Sequence, residues 1–185
     1  MKFFSFLFKK NWNSSHDSSF SESSHAKKLQ MLEEANKLFY EEKRDEEALL
    51  LYDKVIMSGV FEGYIHRAFC LQSLKYHFEA IEDFDKGIQS EPQNANNFFG
   101  RGNSKSAIGD IQGQITDLKR AIELSSVKSE QNDINNIGAR AQGFETAKAL
   151  YESILGFVIT KFEMMNKNEY VKNRFLEKLE LKRRN

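Results

Sequence analysis

FEGYIHRAFCLQSLKYHFEAIEDFDKGIQSEPQN, residues 61–94, is followed directly by ANNFFGRGNSKSAIGDIQGQITDLKRAIELSSVK, residues 95–128, and the two stretches share one pattern. In each, apolar residues recur at intervals of three and four on either side of a short polar turn, which predicts two helices joined as a hairpin. The matched positions of the first helices are Tyr64, Arg67 and Ala68 against Phe98, Arg101 and Gly102. The chain therefore contains a repeated helical hairpin.

A second set of matched positions extends the repeat in both directions. The second helix of each hairpin carries a triplet of matched residues. The first residue is small or polar, the second is bulky and lies four positions later, and the third is small or branched and lies three positions after the second. The triplets are Ala48, Tyr52, Val55; Ala80, Phe84, Gly87; Gln114, Leu118, Ala121; and, more divergent, Ala147, Tyr151, Ile154. Small residues let two helices approach, and bulky ones fill the space between them. Because one hairpin cannot bury its apolar face alone, several must stack.

This pattern resembles the tetratricopeptide repeat family, whose helix–turn–helix units recur about every 34 residues. The resemblance implies an all-α fold: a right-handed superhelical stack of such repeats, ended by a C-terminal capping helix. Residues 1–24 are then a flexible segment with a short apolar start and a serine-rich spacer. Residues 25–128 form three repeats, and residues 129–185 form a degenerate fourth repeat followed by capping helices.

The resemblance also implies a function, because the first helices of such repeats line a concave groove. The chain is expected to be a non-catalytic adaptor or scaffold that binds a peptide or helix of a protein partner there. The expected binding residues, several of them large and apolar as binding anchors are, are Lys37, Tyr40, Ile65, Phe69, Asn96, Phe99 and Asn103. The alternative at this site is that the terminal segments fold back and cover these residues.

One ligand class of the family is not expected. Members that bind the C-terminal carboxylates of heat-shock chaperones use a set of Lys, Asn and Arg residues in the groove. The matching positions here are Glu33, Lys37, His66, Asn96 and Gly100. Only Lys37 is a cation, so the groove favours an extended peptide or a helix instead.

Composition and the scarcity of reactive residues argue against other classes of function. Lys plus Arg equals Asp plus Glu at 27 each, so no net charge favours nucleic acid. The single cysteine, Cys70, excludes an internal disulfide and fits a cytoplasmic protein. His66 lies four residues before it, but no second ligand pair of matching spacing exists. We therefore expect no catalytic site, no metal and no cofactor.

The N-terminus leaves one alternative open. Phe3 to Phe8 form a short apolar run beside lysines, too short for a secretory signal or a membrane span. Such a run could rest on a membrane surface, and the chain would then be a membrane-peripheral assembly factor. We favour the simpler interpretation, a flexible start without membrane contact.

Two charged positions recur with the repeat. Arg67 and Asp83 lie sixteen residues apart, and so do Arg101 and Asp117 in the next copy. Charges that recur together predict an ion pair between the two helices of one hairpin rather than a binding role.

Overall fold

The computed structural model describes residues 15–125 and 134–184, and these residues are helical apart from short turns and contain no strand. The all-α prediction is therefore confirmed. The helices are α1 Ser15–Asn36, continued by a π-helical segment Lys37–Glu41, α2 Asp45–Met57, α3 Glu62–Ser73, α4 His77–Ser90, α5 Ala95–Ala107, α6 Ile111–Ser125, α7 Ile134–Ala141 and α8 Ala147–Arg184. The run from Phe3 to Phe8 lies outside the described residues.

The chain divides into two compact units, with the boundary between Val60 and Phe61. The first unit contains α1, the π-helical segment and α2. Its α1 begins at Ser15, within the stretch expected to be a flexible spacer. Serine is a middling helix former, and here the serine-rich turns continue a helix whose later part is anchored by packing.

A hydrogen bond inside the first hairpin accounts for a departure of its sequence from the repeat. Asn36 stands where the other copies carry Ala68 or Gly102, and Tyr52 stands where they carry Phe84 or Leu118. The Tyr52 hydroxyl donates a hydrogen bond of 2.9 Å to Asn36 Oδ1. A buried tyrosine needs such a partner, so the larger polar residue at the close-approach position is matched by the hydroxyl opposite it.

Backbone geometry repeats with the sequence. The turn inside each hairpin places one residue in the left-handed region, at φ 58° for Lys43, 70° for Lys75, 87° for Gly109 and 87° for Gly143. These positions follow one another at intervals of 32, 34 and 34 residues. A side chain with a Cβ is uncommon at such an angle, so the recurrence marks one turn used four times. The repeat register therefore extends to the turn between α7 and α8.

In the second unit, α3 pairs with α4 and α5 with α6, and α4 packs on α5. The core around α5, α6 and α8 consists of Ala95, Phe98, Ile115, Leu118, Ala121, Ala139, Ala147, Leu150, Tyr151 and Val158. Helix α7 has only 8 residues, and α8 packs directly on α6. The α8 start is held by Asn136 Oδ1, which accepts a hydrogen bond from the Ala147 amide at 2.8 Å. One continuous helix thus spans the second helix of the predicted fourth hairpin and the predicted cap.

The predicted arginine–aspartate pairs are confirmed in both hairpins. Arg67 donates to the two carboxylate oxygens of Asp83 at 2.6 and 2.8 Å. Arg101 donates to Asp117 at 2.9 and 2.6 Å, and its remaining terminal nitrogen reaches Asp85 on α4 at 2.6 Å. Each pair crosses from the first helix of its hairpin to the second, and Arg101 also joins the neighbouring hairpin.

Candidate functional site

Helices α3 and α5, the first helices of their hairpins, lie side by side in the second unit. Gln72 on α3 joins them, because its Nε2 donates to the Gly100 carbonyl at 3.0 Å and to Ser104 Oγ at 2.8 Å. Five of the expected binding residues belong to these two helices. We call the surface they define the α3–α5 face: Ile65, Phe69, Asn96, Phe99 and Asn103.

The other two expected residues, Lys37 and Tyr40, lie in the π-helical segment of the first unit. Tyr40 is 46% exposed, and its ring meets the edge of Phe39 at 4.6 Å. Lys37 Nζ lies 3.6 Å from a carboxylate oxygen of Glu42. A π-helical turn advances the chain by more residues per turn than an α-helix, so side chains here do not follow the α-helical register of the other repeats.

On α3, the apolar residues of the face are packed inward over much of their surface. The Phe69 ring meets Phe84 edge-on, with centroids 5.0 Å apart. Ile65 lies against Gly87 of α4, where an added Cβ would come within 2.8 Å of Ile65 Cγ1. Both side chains are half-buried. Ile65 and Phe69 therefore form part of a packed surface and do not project from it as isolated side chains.

On α5, Phe99 is covered on one side by the C-terminal helix. Its ring stacks on Tyr151 of α8, with centroids 4.6 Å apart and planes 26° apart. Tyr151 is only 2% exposed. The sequence pattern marks Tyr151 as a bulky packing residue of the fourth hairpin, but it contains no signal that its partner is Phe99.

Asn96 and Asn103 flank Phe99 on the same side of α5, at spacings of three and four residues. Both are half-buried. In the described part of the chain neither side-chain carboxamide has a hydrogen-bond partner. The carboxamide of Asn94, by contrast, caps α5, because its Oδ1 accepts a hydrogen bond from the main-chain N–H of Asn96. Each carboxamide offers two donors and an acceptor. The pair can therefore bond the main chain of a segment laid across Phe99.

Burial is the main influence on the protonation of His66 on α3. Burial lowers the pKa of His66, and the nearby carboxylates of Glu62 and Glu91 oppose that shift only in part. The imidazole is therefore neutral at pH 7, since its ordinary pKa is already about 6.5. Cys70, four residues on, is buried. The described residues hold no group of three His, Cys, Asp or Glu side chains close enough to bind a metal ion.

Acidification should therefore weaken the fold through His66. The unfolded chain binds the proton below about pH 6.5, but the folded chain resists it, so this contribution is present above that pH and lost as the pH falls. When the pH is lowered from about 7.5 to 5.5, the free energy of unfolding should fall less for His66→Gln than for the parent. Urea unfolding at the two pH values measures this, with exposed His25→Gln as the control. Equal losses in parent and His66→Gln would contradict it.

None of the helices in the described ranges is both long enough and apolar enough to cross a lipid bilayer. A scan of protein-family models gives no match, and a search of curated protein sequences gives none either. Solved structures do match. The chain is similar to a T3SS complex from Aeromonas hydrophila, with a TM-score of 0.65 at 17% identity over 80% of this chain and 90% of the other.

Two further structures share the architecture. The Hsp90 co-chaperone Cns1 from Saccharomyces cerevisiae gives a TM-score of 0.65 at 18% identity, covering 85% of this chain and 46% of that one. The TPR domain of Sgt2 from Aspergillus fumigatus gives a TM-score of 0.59 at 17% identity, covering 76% and 82%. With the hairpins, the recurring turn and the core described above, the likeness establishes the fold: this chain is built of tetratricopeptide-like helical hairpins.

Proposed function

We propose that the chain is a non-catalytic, cytoplasmic adaptor that holds a peptide or helical segment of another protein on its α3–α5 face. The observation that carries the proposal is the pair of carboxamides, Asn96 and Asn103, on either side of the half-buried Phe99 ring, neither of which bonds to any residue that the structure describes. A hydrophobic centre with polar groups placed to fix orientation is the usual composition of a recognition site.

The rigidity of the face supports the same function. Phe69 rests on Phe84, and Phe99 rests on Tyr151. Gln72 holds α3 and α5 at a set separation. A partner that binds such a preformed surface loses less free energy in ordering side chains than one that binds a mobile surface.

Structural neighbours give the proposal a precedent. The chaperone SycD of Yersinia enterocolitica has been crystallised in complex with a peptide of the translocator YopD, and matches with a TM-score of 0.58 at 15% identity. PcrH has been crystallised in complex with the chaperone binding region of PopD, and matches with a TM-score of 0.58 at 15% identity. Both neighbours bind protein segments, and this chain has the same architecture.

The experiment uses the amide positions, because truncating Phe69 or Phe99 would also remove internal packing. A photo-crosslinking amino acid at position 103 of the full chain should capture a partner in cells, identified by mass spectrometry. Asn96→Arg and Asn103→Arg should each weaken binding of that partner by about tenfold or more, since each removes hydrogen bonds and introduces a bulky charge. Titration of the purified partner measures the loss.

Thr116 on α6 supplies the matched control, because it is exposed and lies away from the face. A crosslinker at position 116 should not capture the same partner, and Thr116→Arg should bind it normally. Thermal unfolding should give similar midpoints for all three arginine variants. If both asparagine variants bind the captured partner as tightly as the parent, the α3–α5 face is not its site.

A further inference from the structure

Helix α8 continues well beyond the core that holds its first half. Its packed residues end at Phe162, which is half-buried against that core. From Glu163 onward every side chain that the structure describes on α8 is exposed. The 38-residue helix therefore presents a long surface that no described part of the second unit covers.

That surface carries an apolar stripe of regular spacing. Phe157, Met164 and Val171 follow one another at intervals of seven residues and are 69%, 61% and 58% exposed. At about 100° per residue, the stripe stays on one side of the helix and drifts by only about 20° per heptad. Tyr151 and Val158 of the packed face lie about 100–120° around the helix from Phe157, and Leu150, one heptad before Phe157 on nearly the same line, is buried in the core. The first half of the stripe is thus mounted on a helix segment that the core holds in place.

The ionic neighbours of the stripe are all basic. The side chains three or four residues from its members include Lys161, Lys167 and Arg174, each exposed. The acidic residues of this stretch, Glu163 and Glu169, lie about 100° or more away from the stripe. An apolar line bordered by positive charge on both sides is complementary to an apolar line bordered by negative charge.

We propose that the stripe docks an amphipathic helix of a partner protein, whose apolar residues recur at three and four and whose flanks carry carboxylates. The stripe supplies one apolar residue per heptad, half the number in a coiled-coil seam, and this narrow line fits the apolar side of a single helix. A helix that lies on a lipid surface needs a broader apolar face. A second copy of this chain is unfavourable, because pairing about Met164 would bring Lys161 against Lys167. This site is separate from the α3–α5 face.

The test uses synthetic three-heptad helices of about 21 residues with leucine along the seam. One carries glutamate on both flanks and the other carries lysine. The full chain should bind the glutamate helix at least about tenfold more tightly than the lysine helix, as measured by fluorescence anisotropy. Met164→Glu should lower that binding by at least about tenfold. The Lys161→Glu, Lys167→Glu double variant should prefer the lysine helix.

Two controls separate this surface from others. Glu163→Gln, away from the stripe, and Asn103→Arg, on the α3–α5 face, should bind the glutamate helix as the parent does. Equal binding of both helices, or unchanged binding by Met164→Glu, overturns the proposal. Dimerisation in sedimentation velocity that Met164→Glu abolishes would assign the stripe to a second copy instead. Flotation with phosphatidylserine vesicles that this variant abolishes would assign it to a membrane.

Discussion

Replacing Arg101 with methionine should lower the free energy of unfolding by about 3 kcal/mol. Asp117 is 2% exposed, and Arg101 donates two hydrogen bonds to it. Contact with both Asp117 and Asp85 raises the pKa of Arg101 despite its burial, so the guanidinium stays protonated. Without the guanidinium, the buried carboxylate of Asp117 retains Lys105, 2.8 Å away, as its one ion-pair partner among the described residues. Urea unfolding followed by far-UV circular dichroism measures the loss.

Two comparisons test whether Arg101→Met loses stability because the buried Asp117 carboxylate loses its guanidinium partner. The Arg101→Met, Asp117→Leu double variant should be more stable than Arg101→Met alone, since an apolar pair replaces a buried carboxylate that has lost its bidentate partner. Arg120→Met removes an exposed ion pair with Glu123 and should change stability by less than about 1 kcal/mol. A loss for Arg101→Met no larger than that for Arg120→Met would show that the buried pair contributes little.

Gly100→Ala should destabilise the chain by about 2 kcal/mol, although alanine is the better helix former. A Cβ at Gly100 would lie 2.5 Å from Phe84 Cε1 and 3.0 Å from Phe69 Cε1. Phe84 is fully buried, so its ring has no free space to enter. Overpacking then outweighs the gain in helix propensity. Thermal and urea unfolding of the purified variant measure the change.

Gly156→Ala is the matched control. Gly156 also lies within a helix, but a Cβ there meets no atom within 4 Å. The substitution should stabilise the chain by about 0.5–1 kcal/mol. Adding Phe84→Leu to Gly100→Ala should cost less than the sum of the two single changes, because the smaller side chain relieves the overlap. If both glycine variants are stabilised, the close approach of α5 to these rings is not limiting.

Features that repeat could be predicted from the sequence. The small and bulky triplets identify the hairpins, and the paired recurrence of arginine and aspartate predicts ion pairs that the structure contains. Such inferences work because each copy is an independent observation of one packing arrangement. Register is also recoverable where the chain stays α-helical, which is why Asn96, Phe99 and Asn103 fall on one side of α5.

Features that occur once could not be predicted in this way. The π-helical segment at Lys37–Glu41 changes the register locally, and no composition signal distinguishes it from an ordinary helix end. The start of α1 at Ser15 lies in a stretch whose serines favour neither helix nor coil strongly. The Phe99–Tyr151 stack depends on how α8 crosses the preceding hairpin, which is a tertiary relation between distant residues.

The three-way contact of Arg101 also affects how the second unit unfolds. In a linear array of repeats, stability is a sum of terms within each repeat and terms between neighbours, and the neighbour terms determine whether the array melts in one step. Arg101 contributes to both, because one guanidinium bonds an aspartate of its own hairpin and one of the hairpin before it. Opening either hairpin breaks part of the same charged cluster. We therefore expect the hairpins α3–α4 and α5–α6 to unfold together.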